Sequence, residues 1–394
     1  MTGLRAPLAD RSMYTALGLM SGTSMDGIDA ALVRTDGFDR VEGGAWLTLP
    51  YEPAFRQRLR SCLGGQGPVA EVERDLTDLH AAVVARLLDR AGVPAAAVDL
   101  LGFHGHTILH APDARRTWQI GDGGRLAALT GIAVACDFRS ADVAAGGQGA
   151  PLVPLFHAAL SAGLPRPLAI LNIGGVANVT WLGRGGGGEG GGEGEGEAVL
   201  AFDTGPGNAL IDDWVLRHTG RAYDGGGALA ASGRVDTAIL DHLMSHPWFA
   251  APPPKSLDRD AWNPACVDGL PAADGAATLA AFTAGAVERA AGHLPEAPLR
   301  WLVAGGGRHN AVLMAMLRRR LGVPVDPVEA VGWQGDALEA QAFGYLAVRT
   351  RLGLPLSLPG TTGVPRPMPG GRLFHPPGAH SATAASGEPR TLSR

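Results

Sequence analysis

The sequence contains few cysteines and no long apolar run. Cys62, Cys136 and Cys266 lie far apart and form no CxxC pair, which excludes a disulfide framework and a cysteine-ligated zinc site. Nowhere do 18 apolar residues follow one another, and residues 1–14 lack the apolar segment of a signal peptide. We therefore expect a protein of the reducing cytoplasm that is neither exported nor anchored in a membrane.

An excess of charge of one sign is also absent. The chain has 33 basic and 38 acidic residues, which gives a formal charge of −5, and these residues are spread along its length. No cationic field is therefore available to attract nucleic acid or an anionic membrane, and any phosphate must be bound by local groups. Lys255 is the single lysine, which reflects either chance or a need for an ammonium group at that position.

The rest of the chain predicts a two-lobed α/β protein. Apolar residues make up 46% of the 394 residues, enough for more than one domain core. Short apolar runs predict strands at 16–20, 30–33, 98–103, 132–136, 168–172, 199–202, 301–304 and 323–325. Apolar residues three and four positions apart predict helices at 71–90, 152–161, 209–218, 276–292, 310–321 and 336–351. We place the lobes at residues 13–145 and 146–362.

Two stretches are too poor in apolar residues to join a core. Residues 183–197 are almost entirely glycine and glutamate, and apolar segments flank them on both sides. We expect a flexible loop at the tip of an extended hairpin. Residues 363–394 are rich in proline, glycine, serine and threonine, which predicts a mostly irregular tail.

The first of three glycine-rich turns lies between two strand-like runs near the N-terminus. Its candidate residues are Ser21, Gly22, Thr23, Ser24, Asp26 and Gly27. Small residues with hydroxyl groups at a hairpin tip let backbone N–H groups approach a phosphate closely. An ordinary hairpin turn is an equally good interpretation of this segment.

The second turn follows a predicted strand and leads into the helix predicted at 209–218. Its residues are Asp203, Thr204, Gly205, Pro206, Gly207 and Asn208. An acidic residue at the end of a strand, then glycines and a helix N-terminus, places a carboxylate beside an anion-binding site. Asp203 is therefore a candidate base beside a phosphate. The alternative is that the segment only caps the helix through Asn208.

The third turn again lies between a strand and a helix and contains Gly305, Gly306 and Gly307. Three glycines provide a flat backbone surface for an adenine ring, although such turns are common in α/β folds. None of the three turns matches GxxxxGK[ST], or GxGxxG followed by an acidic residue. The P-loop and dinucleotide-binding alternatives are therefore disfavoured.

Two polar segments follow other predicted strands. The first contains His104, His106, Thr107 and His110. It has no zinc-binding spacing, so we interpret its histidines as structural or sugar-binding. The second contains Asp137, Arg139, Asp142, Gly147 and Gln148, which offer the donors, acceptors and space that a polyhydroxyl ligand needs. Salt-bridged loop residues are an equal alternative for the second segment.

Together the motifs resemble those of the anhydro-N-acetylmuramic acid kinase family, in the superfamily of actin, sugar kinases and Hsp70. The resemblance rests on residues 18–27, 119–122, 137–139, 142–154, 172–175 and 202–208, and it extends over about residues 14–362. It implies a two-lobed actin-like ATPase fold of the ribonuclease H type, with a ligand cleft between the lobes. It also implies a homodimer.

The resemblance implies an ATP-dependent enzyme of peptidoglycan recycling that adds water across the 1,6-anhydro bridge of its sugar and phosphorylates O6. Asp203 would be the general base that activates the water, and Glu339 would be a second catalytic carboxylate. The three turns would bind ATP together with Asn172, Gly174 and Gly175. The sugar would contact His104, His106, Thr107, Asp137, Arg139, Gly147 and Gln148.

The metal ligand is less clearly indicated. Mg²⁺ would accompany ATP and would be held mainly by phosphates and water. Leu19 occupies a position where the superfamily often has an aspartate, so Asp26 is the candidate ligand, with Asp29 as the alternative. Glu339 begins a predicted helix, where an acidic residue also suits the helix dipole, so a structural role is the alternative for it.

The sequence departs from the family pattern in two motifs. His106 replaces a glutamine, and Leu257 and Asp258 replace a Thr-Gly pair after Lys255 and Ser256. Two other functions stay open. One is a kinase of a different amino sugar, in which Asp203 deprotonates the substrate hydroxyl directly. The other is a non-catalytic ATP-binding clamp.

Overall fold

The computed structural model describes residues 12–22, 24–184, 198–257 and 262–378, and it contains the predicted alternation of strands and helices. The strands are β1 Tyr14–Ser21, β2 Gly27–Thr35, β3 Val41–Pro50, β4 Leu100–Ala111, β5 Arg116–Ile120, β6 Val134–Cys136, β7 Leu168–Ile173, β8 Val176–Leu182, β9 Val199–Pro206, β10 Arg300–Ala304, β11 Val325–Pro327, β12 Pro355–Ser357, β13 Met368–Pro369 and β14 Arg372–Phe374. The helices are α1 Pro53–Ser61, α2 Val69–Ala91, α3 Gly123–Thr130, α4 Ser140–Ala144, α5 Pro154–Leu160, α6 Ala209–Thr219, α7 Ala228–Ala231, α8 Thr237–Met244, α9 Ala272–Ala291, α10 Ala311–Leu321, α11 Leu338–Arg351 and α12 Pro359–Thr362. Over these described ranges, no helix has the length and apolar character needed to span a membrane.

The two main sheets share one strand order. The first sheet runs β14-β6-β4-β1-β2-β3, with β5 paired to β4, and the second runs β11-β10-β7-β8-β9. In each sheet the first three strands form an antiparallel meander. Two later strands then add in parallel beside the first strand of that meander. This repeated ribonuclease H-like order confirms the predicted two-lobed actin-like fold.

Each sheet buries one face against its own helices. On the first sheet, α2 contributes Val72, Leu76, Val83 and Leu87 to the core, and their spacing is the one that predicted this helix. On the second sheet, the alanine-rich helix α9 is buried along most of its length. Neighbours cover α9 on nearly all sides, which explains why it lacks a wide polar face, and its small side chains let them approach closely.

Helix α11 lies between the two sheets. Its residues 340–349 are all buried, and it shares a core with strands of both sheets. Its backbone packs so closely on β1 that a Cβ atom at Gly18 would overlap the carbonyl oxygen of Ala340. Helix α11, whose first turn contains Glu339, is thereby fixed against β1, the strand that leads to the first glycine-rich turn.

The last described part of the chain returns to the first sheet. Strand β14 pairs with β6, and α11 packs on β1, β2 and β4. Strands β13 and β14 lie within the tail predicted as mostly irregular, whereas residues 379–394 fall outside the described residues. Most of the predicted Gly/Glu loop, residues 185–197, also falls outside them. The flanking strands β8 and β9 pair antiparallel up to Leu182 and Val199, as expected for a hairpin. The predicted lobe boundary at residues 145 and 146 stays a prediction.

Candidate active site

A row of polar side chains crosses the second sheet on the face that is turned toward α11. Asn172, Asn178 and Asp203 occupy paired positions on β7, β8 and β9. Residues paired directly across antiparallel strands project from the same face of a sheet. The Asn172 side-chain amide donates to Oε1 of Glu339 over 3.2 Å. The row therefore connects the strand that carries Asp203 with the helix that carries Glu339.

The half-buried carboxyl group of Asp203 lies near the end of β9. The N–H of Leu257 donates to its Oδ2 over 2.7 Å, and the N–H of Asp203 donates to the carbonyl of Lys255 over 3.0 Å. Burial raises the pKa of Asp203 from 3.8 to about 7, although the hydrogen bond from Leu257 lowers it. A carboxyl group with a pKa near neutrality can accept a proton at physiological pH, which a general base must do.

Lys255 fixes the segment that lies beside Asp203. Its ammonium group donates to the carbonyls of Trp248 and Phe249, each over 3.3 Å, and lies 4.3 Å from the centroid of the Trp248 ring. Burial lowers the pKa of this ammonium group. The next residue, Ser256, donates its hydroxyl to Oε1 of Gln148 over 2.8 Å. This segment therefore connects Asp203 with a predicted sugar-binding residue.

Glu339 lies in the first turn of α11, close enough to the half-buried guanidinium of Arg139 for the two charges to interact. Burial raises the pKa of Glu339, whereas Arg139 and the amide of Asn172 lower it. The guanidinium of Arg139 donates through Nε to Nε2 of His104 over 3.0 Å and through Nη1 to the carbonyl of Gly149 over 2.7 Å. Burial lowers the pKa of Arg139 to about 10. Arg139 therefore stays cationic at neutral pH.

His104 and His106 lie in β4, where both are buried. The Nδ1 of His104 lies 3.0 Å from the carbonyl oxygen of the next residue, so both of its ring nitrogens are engaged within the protein. The Nδ1 of His106 lies 2.9 Å from the hydroxyl of Ser21, which is also 2.7 Å from the Tyr51 hydroxyl. Burial lowers the pKa of His104, and it lowers the pKa of His106 to about 4. Both rings are therefore neutral, and they support Arg139 and Ser21.

The first turn connects β1 and β2. The N–H of Met25 donates to the carbonyl of Gly22 over 3.0 Å, and the hydroxyl of Ser24 donates to Oδ1 of the exposed Asp26 over 2.8 Å. Gly27 begins β2 and packs on the backbone of β3. Thr23 lies outside the described residues. The turn thus presents small polar groups at one end of the first sheet.

An acidic region surrounds Asp29, close to the first turn. Burial raises the pKa of Asp29 to about 7, and the charges of Glu339, Asp26 and Asp336 contribute to this increase. A hydrogen bond from Thr48 opposes it. Carboxyl groups that raise one another's pKa favour a nearby cation. Among the residues with described positions, no three His, Cys, Asp or Glu side chains converge on one metal position.

The second turn packs against the hairpin that joins β7 and β8. The N–H groups of Gly207 and Asn208 donate to the carbonyls of Gly175 and Gly174 over 2.9 and 2.7 Å. A Cβ atom at Gly207 would overlap the carbonyl oxygen of Gly174, so only glycine permits this approach. The side chain of Asn208 donates to the carbonyl of Ile173 over 3.0 Å and does not cap α6. The interpretation of Asn208 as a helix cap is therefore wrong, because its amide joins the two loops instead.

The third turn lies next to the second. Gly305 adopts φ +72°, and a Cβ atom there would overlap Oδ1 of Asn172. Gly306 and Gly307 begin a short 3₁₀ turn, and a Cβ atom at either position would lie 3.6 or 3.3 Å from the Asn208 side chain. Gly205 in β9 also has a positive φ, of +147°. The second and third turns therefore form one continuous surface of glycine backbone.

The segment after β6 is organised by a buried carboxylate. Asp142 accepts hydrogen bonds from the N–H of Gly149 and from the hydroxyl of Thr362, each over 2.6 Å. The N–H of Gly147 donates to the Asp142 carbonyl over 3.0 Å, and the N–H of Gln148 donates to the Thr362 carbonyl over 2.7 Å. Asp142 therefore shapes the loop that carries Gly147 and Gln148.

Two other predicted sugar-binding residues lie on the first sheet or at its edge. Asp137 follows β6 with φ +59°, an uncommon value for a residue other than glycine. The hydroxyl of Thr107 in β4 accepts a hydrogen bond from the Gln119 side chain over 3.2 Å. Their roles toward a sugar stay predictions.

Three residues of this site were not predicted from the sequence as site residues. Asn178 pairs with Asn172 across the Gly174–Gly175 hairpin, and the spacing of that hairpin could have indicated it. Tyr51 contacts Ser21 from the chain that follows β3, and no local pattern indicates this contact. Ser256 follows Lys255, and no pattern in the sequence around it indicates its contact with Gln148.

The sequence comparisons agree on one family. A family sequence model described as anhydro-N-acetylmuramic acid kinase matches residues 14–376. The anhydro-N-acetylmuramic acid kinase of Rhodospirillum rubrum is 58% identical over 364 residues, which cover 91% of this chain and 94% of the relative. The protein of the same name from Acidiphilium cryptum is 58% identical over 365 residues, which cover 92% and 98% of the two chains. Among solved structures, a ROK family glucokinase from Streptomyces griseus in complex with glucose and AMPPNP is 14% identical, with a TM-score of 0.41 over 84% of this chain and 99% of that chain.

Proposed function

Because the chain belongs to the anhydro-N-acetylmuramic acid kinase family, we propose that Asp203 and Glu339 are its catalytic carboxylates. The enzyme is an ATP-dependent kinase that opens 1,6-anhydro-N-acetylmuramic acid with water and phosphorylates O6. The products are N-acetylmuramic acid 6-phosphate and ADP. The observation that supports the assignment best is the half-buried Asp203 carboxyl, which lies beside the second turn on the row that leads to Glu339.

Asp203 acts on the water in this proposal. Its ionised carboxylate accepts a proton while the water oxygen forms a bond to C1 of the sugar and the C1–O6 bond breaks. The released O6 then forms a bond to the γ-phosphorus of ATP, and ADP leaves. Burial supports this role because it raises the pKa of Asp203 to about 7, and a base of that pKa typically contributes about 10²- to 10⁴-fold to a rate.

The three turns hold ATP. Phosphoryl transfer depends mainly on positioning and on neutralised charge. Ser21, Gly22, Ser24 and Gly27 of the first turn, and Thr23 outside the described residues, would line the phosphates from one sheet. Gly205, Gly207 and Asn208, with the hairpin of Asn172, Gly174 and Gly175, would line them from the other. Gly305, Gly306 and Gly307 would support the adenosine.

In this proposal Mg²⁺ binds in the acidic region around Asp29, close to the first turn. Asp26 is exposed there and would be the protein ligand, with Asp29 as the alternative, while phosphates and water complete the shell. Burial raises the pKa of Asp29, and the charges of neighbouring acidic groups raise it further, which supports a cation at this position. When bound, the ion would neutralise phosphate charge.

The sugar would lie between Asp203 and Arg139. The guanidinium of Arg139 is held in one orientation by His104 and Gly149, which suits recognition of sugar oxygens. Gln148, Gly147, Asp137 and Thr107 would complete the site, and His104 and His106 would act through the groups they support. We further propose that the enzyme is cytoplasmic, in keeping with its few, widely separated cysteines, and that it is dimeric, as the family resemblance implies.

Substitution of Asp203 tests the proposal. Asp203→Asn should abolish formation of the sugar phosphate while the dissociation constant for ATP stays nearly the same, as measured by calorimetry. Asp213→Asn on α6 is a control outside the site and should keep turnover. Full turnover by Asp203→Asn would contradict the assigned base.

A further inference from the structure

Arg308 follows the third turn directly and is held by three hydrogen bonds. Its side chain is only 3% exposed. Nε donates to Oε1 of Glu329 over 2.8 Å, Nη2 donates to Oδ1 of Asp336 over 2.6 Å, and Nη1 donates to the carbonyl of Gly305 over 2.8 Å. A buried cation with two carboxylate partners is costly to disturb, since each lost partner leaves charge uncompensated. Arg308 therefore fixes the third turn in one conformation.

One of these bonds leads to the start of α11. Asp336 lies three positions before Glu339, and the backbone between them enters the helix without a break. Glu339 in turn accepts the hydrogen bond from Asn172, whose Oδ1 lies against the backbone of Gly305. The third turn and Glu339 are thus connected by two routes, one through Arg308 and Asp336 and one through Asn172.

We propose that Arg308 is a positioning residue that couples the adenosine turn to Glu339 through Asp336. The inference rests on the proposed roles of the third turn and of Glu339. Arg308 holds the Gly305 carbonyl and the Asp336 carboxylate with the same planar group, so the two elements keep a fixed separation. When a nucleotide binds at the third turn, the Glu339 carboxylate is therefore already held in the position that catalysis requires.

The two carboxylate partners of Arg308, Glu329 and Asp336, provide a pair of variants that can be compared. Asp336→Asn weakens the connection to α11, and Glu329→Gln weakens the connection to a turn that lies outside the site. Each change removes one negative charge, each leaves Arg308 one carboxylate, and the side-chain exposures are similar at 50% and 46%. General destabilisation should therefore be alike in the two variants. Asp336 differs from Glu329 in two respects: Nε2 of His309 lies 3.8 Å from its Oδ1, and its charge acts on Asp29.

The expected result is a loss of turnover in one variant only. At saturating ATP, Asp336→Asn should lower kcat about tenfold, as for the loss of one charge-assisted hydrogen bond, with KM for ATP changed less than about twofold. Glu329→Gln should keep kcat within about twofold of the unsubstituted enzyme. Steady-state kinetics and urea unfolding of both variants give these values.

Three results would overturn the coupling. They are equal losses of kcat in both variants, a change confined to KM for ATP, and a loss in Asp336→Asn that added Mg²⁺ restores, which would make Asp336 a metal ligand instead. Glu339→Gln separates this inference from the proposed function. If Glu339→Gln keeps full activity, the catalytic assignment fails. If it loses activity while Asp336→Asn behaves like Glu329→Gln, only the coupling fails.

Discussion

Replacing Asp203 by asparagine should stabilise the protein above neutral pH. Burial raises the pKa of Asp203 from 3.8 to about 7, so ionisation costs free energy in the folded state and not in the unfolded chain. For an acid with a raised pKa, this cost is absent below about pH 4, grows as the pH rises from about 4 to about 7, and is constant above about pH 7. About three pKa units at about 1.4 kcal/mol each set the gain at about 4 kcal/mol.

Urea unfolding at two pH values measures this gain. Asp203→Asn should raise the free energy of unfolding by about 4 kcal/mol at pH 8.5 and by about 2 kcal/mol at pH 5. The amide oxygen of the new side chain can still accept the hydrogen bond from Leu257. Asp241→Asn, at an exposed position of α8, is the control and should change stability by less than about 0.5 kcal/mol at either pH. An equal gain at both pH values, or a loss of stability at pH 8.5, would refute the claim that ionisation of the buried Asp203 carboxyl destabilises the folded protein.

Three further predictions concern activity and the loop around the site. Because only ionised Asp203 accepts a proton, kcat/KM should fall about tenfold for each pH unit below 7, and a flat profile between pH 5 and 7 would contradict its role. Ser256→Ala should raise KM for the sugar about fivefold by freeing Gln148, and Ser256→Thr should restore it; equal KM values in both variants would exclude this contact from sugar binding. Thr362→Val should lower the free energy of unfolding by about 1–3 kcal/mol because buried Asp142 loses a donor, whereas Thr362→Ser should keep it, and an unchanged unfolding curve for the valine variant would show that the bond contributes nothing.

Much of the fold could be predicted because it depends on local periodicity. The helix predicted at 71–90 spans Val69–Ala91, and the strand predicted at 301–304 spans Arg300–Ala304. The three turns could be found because glycines between a strand and the next element leave few structural alternatives. Strand β3 was not predicted, since Gly43 and Gly44 interrupt its apolar pattern.

Contacts between distant segments could not be predicted. Arg308 reaches Glu329 and Asp336 only because β10, β11 and α11 meet at one end of the second sheet. Tyr51 reaches Ser21 because β3 returns beside the first turn. Such pairs depend on tertiary packing, which sets which charges and hydroxyls become buried together. A single sequence carries no local signal for them.

The central claim is that one enzyme couples hydrolysis of the anhydro bridge to phosphorylation of O6. Incubation with Mg-ATP and 1,6-anhydro-N-acetylmuramic acid in ¹⁸O-labelled water, followed by mass spectrometry, tests it directly. The account predicts a sugar phosphate that carries one solvent oxygen on the sugar, with an equal amount of ADP. ADP without labelled sugar phosphate, or no ADP at all, would contradict it.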